Sequence, residues 1–399
     1  MKISMISNLY PPYVYGGAEM YVYQIARYLS KRCEVSVITT EPFHGLKSFR
    51  DNADTEDTVA IHRFYPLNVY SNYHYADRPT LLKPLWHAID LWNPHTYQKV
   101  KQILKKERPD VVHIHNFKGL SASVFGAVKE LGIPAVHTVH DCDLLCPRTT
   151  LLTGSNTTCY TPRRLCALYR KFSRNIKPDM VTAPSNFILD LLTKEGIFKD
   201  VEKIKLPLGI EQYPVPKIKN DKFDILYVGR LGIHKGVHVL IDSFKHFELE
   251  SARLHIVGHG DDMPLFKSMA GDDKRIRFYG FLPKEELRLL YGTVDVAVVP
   301  SICYEIFGLI IPECYEYGVP VIGSRSGAIP ELIQDGYNGI TFDVGDVAGL
   351  TAALRNLSED DRFLETLSKN ALASSRDYHM DVHIERIERV YERVASGGG

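Results

Sequence analysis

Apolar and polar positions along this chain alternate between two periods. Short aliphatic and β-branched runs at residues 2–7, 34–39, 110–114, 135–139 and 180–183 read as buried strands. Residues 18–29 carry apolar side chains at helical spacing, behind a loop containing Pro11-Pro12 and Gly16-Gly17. Strand–helix alternation of this kind builds a parallel sheet with helices on both faces, so the predicted class is α/β and doubly wound. The stretch 64–97 is aromatic and proline-punctuated, with Trp86 and Trp92, and has no clear period. It is long for a loop, which predicts partial helix or an element facing an acceptor, although core packing is the commoner fate of such aromatics.

The pattern then breaks and restarts. Leu206-Pro-Leu-Gly-Ile210, Pro214, Pro216 and the polar run 217–222 read as a linker. A second strand–helix series runs from 223 to about 342, and two helical segments follow, roughly 347–373 and 377–395. The expected organisation is a first domain at 1–208, a linker at 209–222, a second domain at 223–375 and a closing helix at 376–396.

Candidate chemistry concentrates in the second series. A strand-like run, residues 294–299, leads through Pro300 into Glu305-Ile-Phe-Gly-Leu-Ile-Ile-Pro-Glu313. The spacing places Glu305 on a loop and Glu313 about two turns into a helix that Gly318 and Pro320 end. Carboxylates suit hydroxyl donors, and the N–H groups at a helix start suit phosphate. A ligand that needs both is a sugar joined to a nucleoside diphosphate. Upstream, residues 225–230 read as a strand ending at Gly229-Arg230, before Lys235-Gly236 and a helix over 237–247. Ligands of doubly wound sheets bind at the carboxyl ends of strands. There Arg230 as a fork and Lys235 as a point charge can balance a pyrophosphate. Taken singly, each pattern also fits an ordinary solvated face.

In order, these elements resemble the family 4 glycosyltransferases over nearly the whole chain. The residues that carry the resemblance are Gly16-Gly17-Ala-Glu19, Asp110-Val-Val-His113-Ile-His115, His137-Thr-Val-His140-Asp141 and Ala183-Pro-Ser-Asn186, then Gly229-Arg230 with Lys235-Gly236, the Glu305 and Glu313 pair, and Gly327-Ala-Ile-Pro-Glu331. The resemblance implies the GT-B fold: two Rossmann-like doubly wound domains facing a central cleft, with the acceptor mainly on the first and the donor on the second. It further implies a retaining hexosyltransferase that uses a nucleoside-diphosphate sugar as donor, requires no cofactor and no metal, and has no protein nucleophile. On the matching positions, Glu313 would bind the ribose, Glu305 the donor-sugar hydroxyls, and the N–H groups of Phe307, Gly308 and Leu309 the sugar and distal phosphate. Arg230 and Lys235, with Gly229 beside them, would stabilise charge on the leaving pyrophosphate. His140 would act near the reacting carbon, which leaves His113, His115 and His137 as packing or strand-end residues. Gly16 and Gly17 would offer N–H groups to phosphate on a mobile loop, with Glu19 countering the helix dipole. A Gly258-His-Gly260 turn lacks the third glycine of a dinucleotide fingerprint. Competing readings are a nucleotide-sugar epimerase of the same fold, marked by release of an isomerised sugar nucleotide, and a non-catalytic nucleotide-sugar-binding protein. The intact Arg230, Lys235, Glu305 and Glu313 set counts against the latter.

Composition constrains partners more than chemistry. The 399 residues are 45% hydrophobic and 24% charged, with zero formal net charge, as in soluble globular domains with no polyanionic partner such as nucleic acid. The halves differ: residues 1–200 hold 25 Lys and Arg against 18 Asp and Glu, and the remainder 23 against 30. A basic first half and an aromatic stretch without a spanning segment or signal peptide predict a cytoplasmic protein. Its expected place of work is the inner membrane face, on a glycan or lipid-linked acceptor in cell-surface glycan, glycolipid or polysaccharide synthesis. A soluble enzyme with a small acceptor fits these features almost as well. Four of the seven cysteines, Cys142, Cys146, Cys159 and Cys166, cluster at a spacing unlike a zinc ribbon; thiols are the default, with a structural zinc or two disulfides as the alternatives.

Overall fold

The first sheet is built from β1 (Lys2–Ile6), β2 (Glu34–Thr40), β3 (Asn52–Glu56), β4 (Val59–Phe64), β5 (Val111–Ile114), β6 (Ala135–Thr138), β7 (Met180–Ala183) and β8 (Glu202–Lys205). In this computed structural model, which describes residues 1–397 apart from 15, 44, 50–51, 75–79, 148, 150, 153–158, 160–163, 214 and 219–220, they lie in the order β3-β4-β2-β1-β5-β6-β7-β8. All pairings are parallel except that of β3 with β4. Strands β5, β6 and β7 are buried along their whole length, as helices on both faces of a parallel sheet require. Those helices are α1 (Gly17–Leu29), α2 (Lys83–Leu91), α3 (Pro94–Glu107), α4 (Ser123–Glu130), α5 (Arg164–Ser173) and α6 (Asn186–Lys194). Along α1 the buried face is Tyr21, Val22, Ile25, Ala26 and Leu29, the stripe that the apolar spacing predicts.

The second sheet comprises β9 (Phe223–Val228), β10 (Ala252–Val257), β11 (Ile276–Gly280), β12 (Val296–Val299), β13 (Val321–Ser324) and β14 (Gly339–Phe342). All are parallel, in the order β11-β10-β9-β12-β13-β14. That is the 3-2-1-4-5-6 order of a dinucleotide-binding fold, whose strand order reverses between its first and fourth strands, here β9 and β12. Its helices are α7 (Val237–His246), α8 (Met263–Ala270), α9 (Lys284–Tyr291), α10 (Ile310–Glu316), α11 (Ile329–Leu332), α12 (Val347–Glu359) and α13 (Asp361–Ser375). A last helix, α14, spans Met380–Ala395.

By contacts the chain divides into one unit of Met1–Thr149, Pro162–Pro207 and His383–Gly399, and a second of Thr150–Thr161 and Leu208–Val382. The stretch read as a linker is packed onto the second unit: the Ile218 N–H donates to Gly292 O at 2.8 Å and Lys217 Nζ to Val294 O. The unit boundary near the carboxyl end falls inside α14, so its residues from His383 onward belong to the first unit.

Two features depart from the sequence pattern. The hairpin β3–β4 turns at Asp57 and Thr58, both with positive φ (47° and 72°), without the Asn-Gly or Asp-Gly pair that signals such a turn. Its edge strand β3 is exposed throughout and so leaves no apolar alternation to read. Trp86 is fully buried, stacks on Tyr70 and donates Nε1–H to Tyr70 O at 2.9 Å. It is a core residue and cannot serve as a membrane-interface aromatic, whereas Trp92 is 49% exposed.

Candidate functional site

Lys235 and Glu305 reach one another at the carboxyl ends of β9 and β12, the switch point of the second sheet. Lys235 Nζ donates to Glu305 Oε1 at 2.7 Å, with side chains only 28% and 15% exposed. Ser301 Oγ donates to the same oxygen at 2.5 Å. The loop that carries Glu305 is fixed on both sides. The N–H groups of Ile302 and Cys303 donate to His234 O at 2.9 and 3.0 Å, and Ala328 N–H donates to Glu305 O at 2.8 Å. Ser324 Oγ and Ser326 Oγ donate to the carbonyls of Ser301 and Cys303. Burial alone would push the Glu305 carboxyl up; the charge and hydrogen bond of Lys235, helped by Ser301, outweigh it and hold the group below the usual glutamate value. Burial likewise opposes charge on Lys235, but Glu305 raises its ammonium above the usual value. Both partners are therefore ionised at neutral pH.

Arg230 behaves differently. Its Nη2 donates to Asp261 Oδ2 at 3.0 Å, and the side chains are 65% and 91% exposed. An exposed pair of this kind holds its arginine weakly, so Asp261 is a readily displaced partner. Asp261 lies beyond the Gly258-His-Gly260 turn, which packs against Gly229: a Cβ on Gly258 would stand 1.9 Å from Gly229 O.

Glu313 sits in the first turn of α10 instead of two turns in, because α10 begins only at Ile310. Pro312 shows why: proline is tolerated where a helix has not yet begun to use its N–H groups. Glu313 Oε2 accepts from Tyr291 Oη at 3.3 Å. Burial pushes this carboxyl above its usual value, partly countered by Tyr291 and more distantly by Lys284 and Arg288. Tyr291 is itself buried and stacked on Tyr317, with centroids 4.9 Å apart at 9°. Among the described residues the N–H groups of Phe307, Gly308 and Leu309 donate to no acceptor. Gly308 has φ 92°, so the backbone conformation itself calls for glycine there. The Phe307 side chain is buried and packs near Tyr378, at 6.0 Å between centroids.

The remaining candidates lie in the first unit. His140, two residues past β6, is half-buried, and burial pushes its imidazole down to about 3. Gly16 precedes α1 in extended conformation, and its N–H is taken by Glu19 Oε2 at 2.9 Å. Glu19 thus closes the helix start by a hydrogen bond as well as by its charge. A side chain at Gly16 would meet nothing within 4 Å, so packing does not explain glycine there.

No disulfide joins any of the seven cysteines, and among the described residues no group of three or more His, Cys, Asp or Glu is placed to hold a metal ion. Cys142 and Cys146 are spent on core packing, both being under 9% exposed, while Cys166 lies on α5. Ser301, Tyr291 and Asp261 escaped the sequence reading. Only Ser301, four residues before Glu305, carried a local signal.

Two family descriptions match the chain: Glycosyltransferase Family 4 over residues 15–205 and Glycosyl transferases group 1 over residues 210–373. Alpha-monoglucosyldiacylglycerol synthase of Acholeplasma laidlawii is 27% identical over 320 residues, covering 73% of this chain and 78% of that protein. Sucrose-phosphate synthase from Thermosynechococcus elongatus superposes with a TM-score of 0.77 at 19% identity over 100% of both chains. Anabaena HepE in complex with UDP gives 0.71 at 19% identity, over 98% of this chain and 100% of that one. The two family matches and the two doubly wound units together identify a glycosyltransferase of the GT-B fold. The chain belongs to the family 4 glycosyltransferases.

Proposed function

We propose that this glycosyltransferase transfers a hexose from a nucleoside-diphosphate sugar to a hydroxyl acceptor with retention of anomeric configuration. The observation that carries the reading is the partly buried Lys235–Glu305 pair beside the three undonated N–H groups at the β9/β12 switch point. An acceptor carboxylate, an ammonium and backbone donors at one strand edge match the hydroxyls and phosphates of a sugar nucleotide. In this reading Glu305 holds sugar hydroxyls, Lys235 neutralises the leaving pyrophosphate, and Arg230 exchanges Asp261 for phosphate. Glu313, whose one side-chain partner among the described residues is a phenol, accepts the ribose hydroxyls. On the first unit His140 offers a neutral imidazole and Gly16 and Gly17 a backbone without side chains; on the second, Gly229 lets backbone approach the donor. These protein cations supply the charge stabilisation that a metal ion gives other transferases. The HepE complex with UDP supports a nucleotide donor. A thermal-shift panel of nucleoside diphosphates and their sugars tests the reading, since a ligand bound only by the folded state raises the midpoint. No shift with any member overturns it. Nuclear magnetic resonance of the first product formed from an α-linked donor should show an α-glycoside; a β-glycoside overturns retention.

Glu313→Gln should weaken binding of the preferred nucleoside diphosphate by about 1.5–3 kcal/mol, the range for hydrogen bonds to a charged group. Calorimetry measures this, and unchanged affinity in a folded variant would remove Glu313 from the site.

For the acceptor we propose a lipid-linked or growing surface glycan reached at an anionic membrane. Leu81, Leu82, Leu85 and Trp92 are 91%, 41%, 55% and 49% exposed in the basic half of the chain. The relative named for a glucosyldiacylglycerol product supports the same class. No helix among the described residues is long and apolar enough to cross a membrane. The protein should float with phosphatidylglycerol vesicles at low salt and detach at high salt. Absence of flotation with both anionic and neutral vesicles would sink the membrane proposal.

A further inference from the structure

His115 directly follows β5, and its Nδ1 lies 3.0 Å from His140 Nε2. Its ring is 1% exposed, and its Nε2 has no hydrogen-bond partner. The ring is also held in place. His113 lies against it at 3.9 Å between centroids, with the edge of Tyr21 at 6.0 Å. His113 is pinned by Tyr391 Oη and Thr138 Oγ1, each at 2.7 Å, and Tyr21 Oη by His383 Nε2 at 2.7 Å. Burial, reinforced by the neighbouring histidines, depresses both His115 and His140, so both rings are neutral at physiological pH.

Two neutral imidazoles joined by one N–H···N bond have two arrangements. If His115 carried its hydrogen on Nε2, that buried N–H would have no acceptor. If it carries the hydrogen on Nδ1, the group left unpaired is only a bare ring nitrogen. Orphaned buried donors are the rarer defect in folded proteins. The second arrangement makes His140 Nε2 the acceptor and puts the hydrogen of His140 on Nδ1. Among the described residues no acceptor takes that Nδ1–H.

We propose that His115 is a positioning residue that fixes His140 in its Nδ1–H tautomer, so that this N–H is the donor offered to a hydroxyl of a sugar ligand. The identity of that ligand rests on the glycosyltransfer reading above; the tautomer does not. A ring locked in the other tautomer would present a lone pair where a donor is needed, a defect known to disable histidine-dependent sites without disturbing their geometry.

Two-bond proton–nitrogen correlation spectra of histidine-labelled full-length protein, with His140 assigned through His140→Gln, read the tautomer without any ligand. The wild type should show His140 protonated on Nδ1. His115→Leu should move it to Nε2 or to a mixture. His115→Asn, whose amide can stand where Nδ1 stood, should restore it. Turnover is followed as hydrolysis of UDP-glucose, GDP-mannose and ADP-glucose. With the member that the wild type consumes fastest, His115→Leu should lower kcat on the order of tenfold to a hundredfold. Affinity for the matching nucleoside diphosphate should stay within about twofold, and His115→Asn should recover most of the loss. His140 protonated on Nε2 in the wild type overturns the proposal. So does an unchanged tautomer in His115→Leu, even if activity falls, because His115 would then act through packing alone. If the wild type consumes none of the three, the test of glycosyltransfer fails for those donors while the tautomer readout still decides the role of His115.

Discussion

Lys235→Ala should lower transfer at saturating donor by about two to three orders of magnitude, the range found when one preorganised electrostatic contact to a developing charge is removed. Its attraction grows as charge collects on the leaving pyrophosphate, so the loss belongs in kcat and not only in KM. Stability should fall as well. Glu305 would keep its partial burial and Ser301 but lose its bonded ammonium, and because the pair is only partly buried the cost falls below the about 3–5 kcal/mol of breaking a fully buried one. The pH dependence separates this from a general packing loss. In the wild type the Glu305 carboxyl is held below its usual value, so its contribution is present above that usual value and fades as pH falls through the depressed one. In Lys235→Ala burial is opposed only by Ser301 and, more distantly, His234, so the carboxyl rises from its wild-type value. The variant is then worst at neutral pH and partly recovers in mild acid, where protonation removes the buried charge. Adding Glu305→Gln to Lys235→Ala should restore much of the stability at pH 7 and none of the activity. Urea denaturation at pH 5 and pH 7 and single-turnover kinetics check both halves. Full kcat in Lys235→Ala, or equal destabilisation at both pH values, would remove the pair from its assigned role.

The legible parts of this site were those where chemistry and local pattern coincide. Lys235 and Glu305 each follow a strand-like run, and strand ends are where such sheets bind ligands. What lay beyond reading was set by distant packing. Tyr291 ends α9, and nothing in its surroundings along the chain signals that its hydroxyl meets Glu313, 22 residues on. Asp261 meets Arg230 from 31 residues away. Glu313 lies one turn earlier in its helix than the spacing predicts because Pro312 falls in the first turn of α10. The β3–β4 hairpin stayed hidden because an exposed edge strand carries no alternation and its turn uses Asp57-Thr58. Trp86 shows the limit of composition: a tryptophan in an aperiodic aromatic stretch has the same sequence signature whether it faces lipid or, as here, fills a core. His115, expected to pack or to hydrogen-bond at a strand end, does both, and nothing along the chain signals that its partner is the ring of His140.

Gly327→Ala should damage fold and site together. Gly327 has φ 61°, and a Cβ built on it would lie 2.3 Å from Glu305 O and 2.5 Å from Glu305 N. The neighbouring peptide makes the contact necessary, since Ala328 N–H donates to that same carbonyl at 2.8 Å. The two loops therefore touch backbone to backbone, and only a residue without a side chain lets Glu305 keep its place beside Lys235. Alanine must either push the Glu305 peptide away, which moves the carboxylate, or leave the left-handed conformation, which breaks the Ala328 bond. The left-handed backbone alone costs about 1–2 kcal/mol, and overpacking against backbone adds about 1–3 kcal/mol. Gly336→Ala isolates the first contribution: Gly336 has φ 72°, but a Cβ there would meet nothing within 4 Å. The expected result is a larger loss of stability in Gly327→Ala than in Gly336→Ala by urea denaturation, with weakened sugar-nucleotide binding by calorimetry in the former alone. Equal losses in the two variants, with unchanged binding in Gly327→Ala, would show that the Glu305 loop holds its position without this contact.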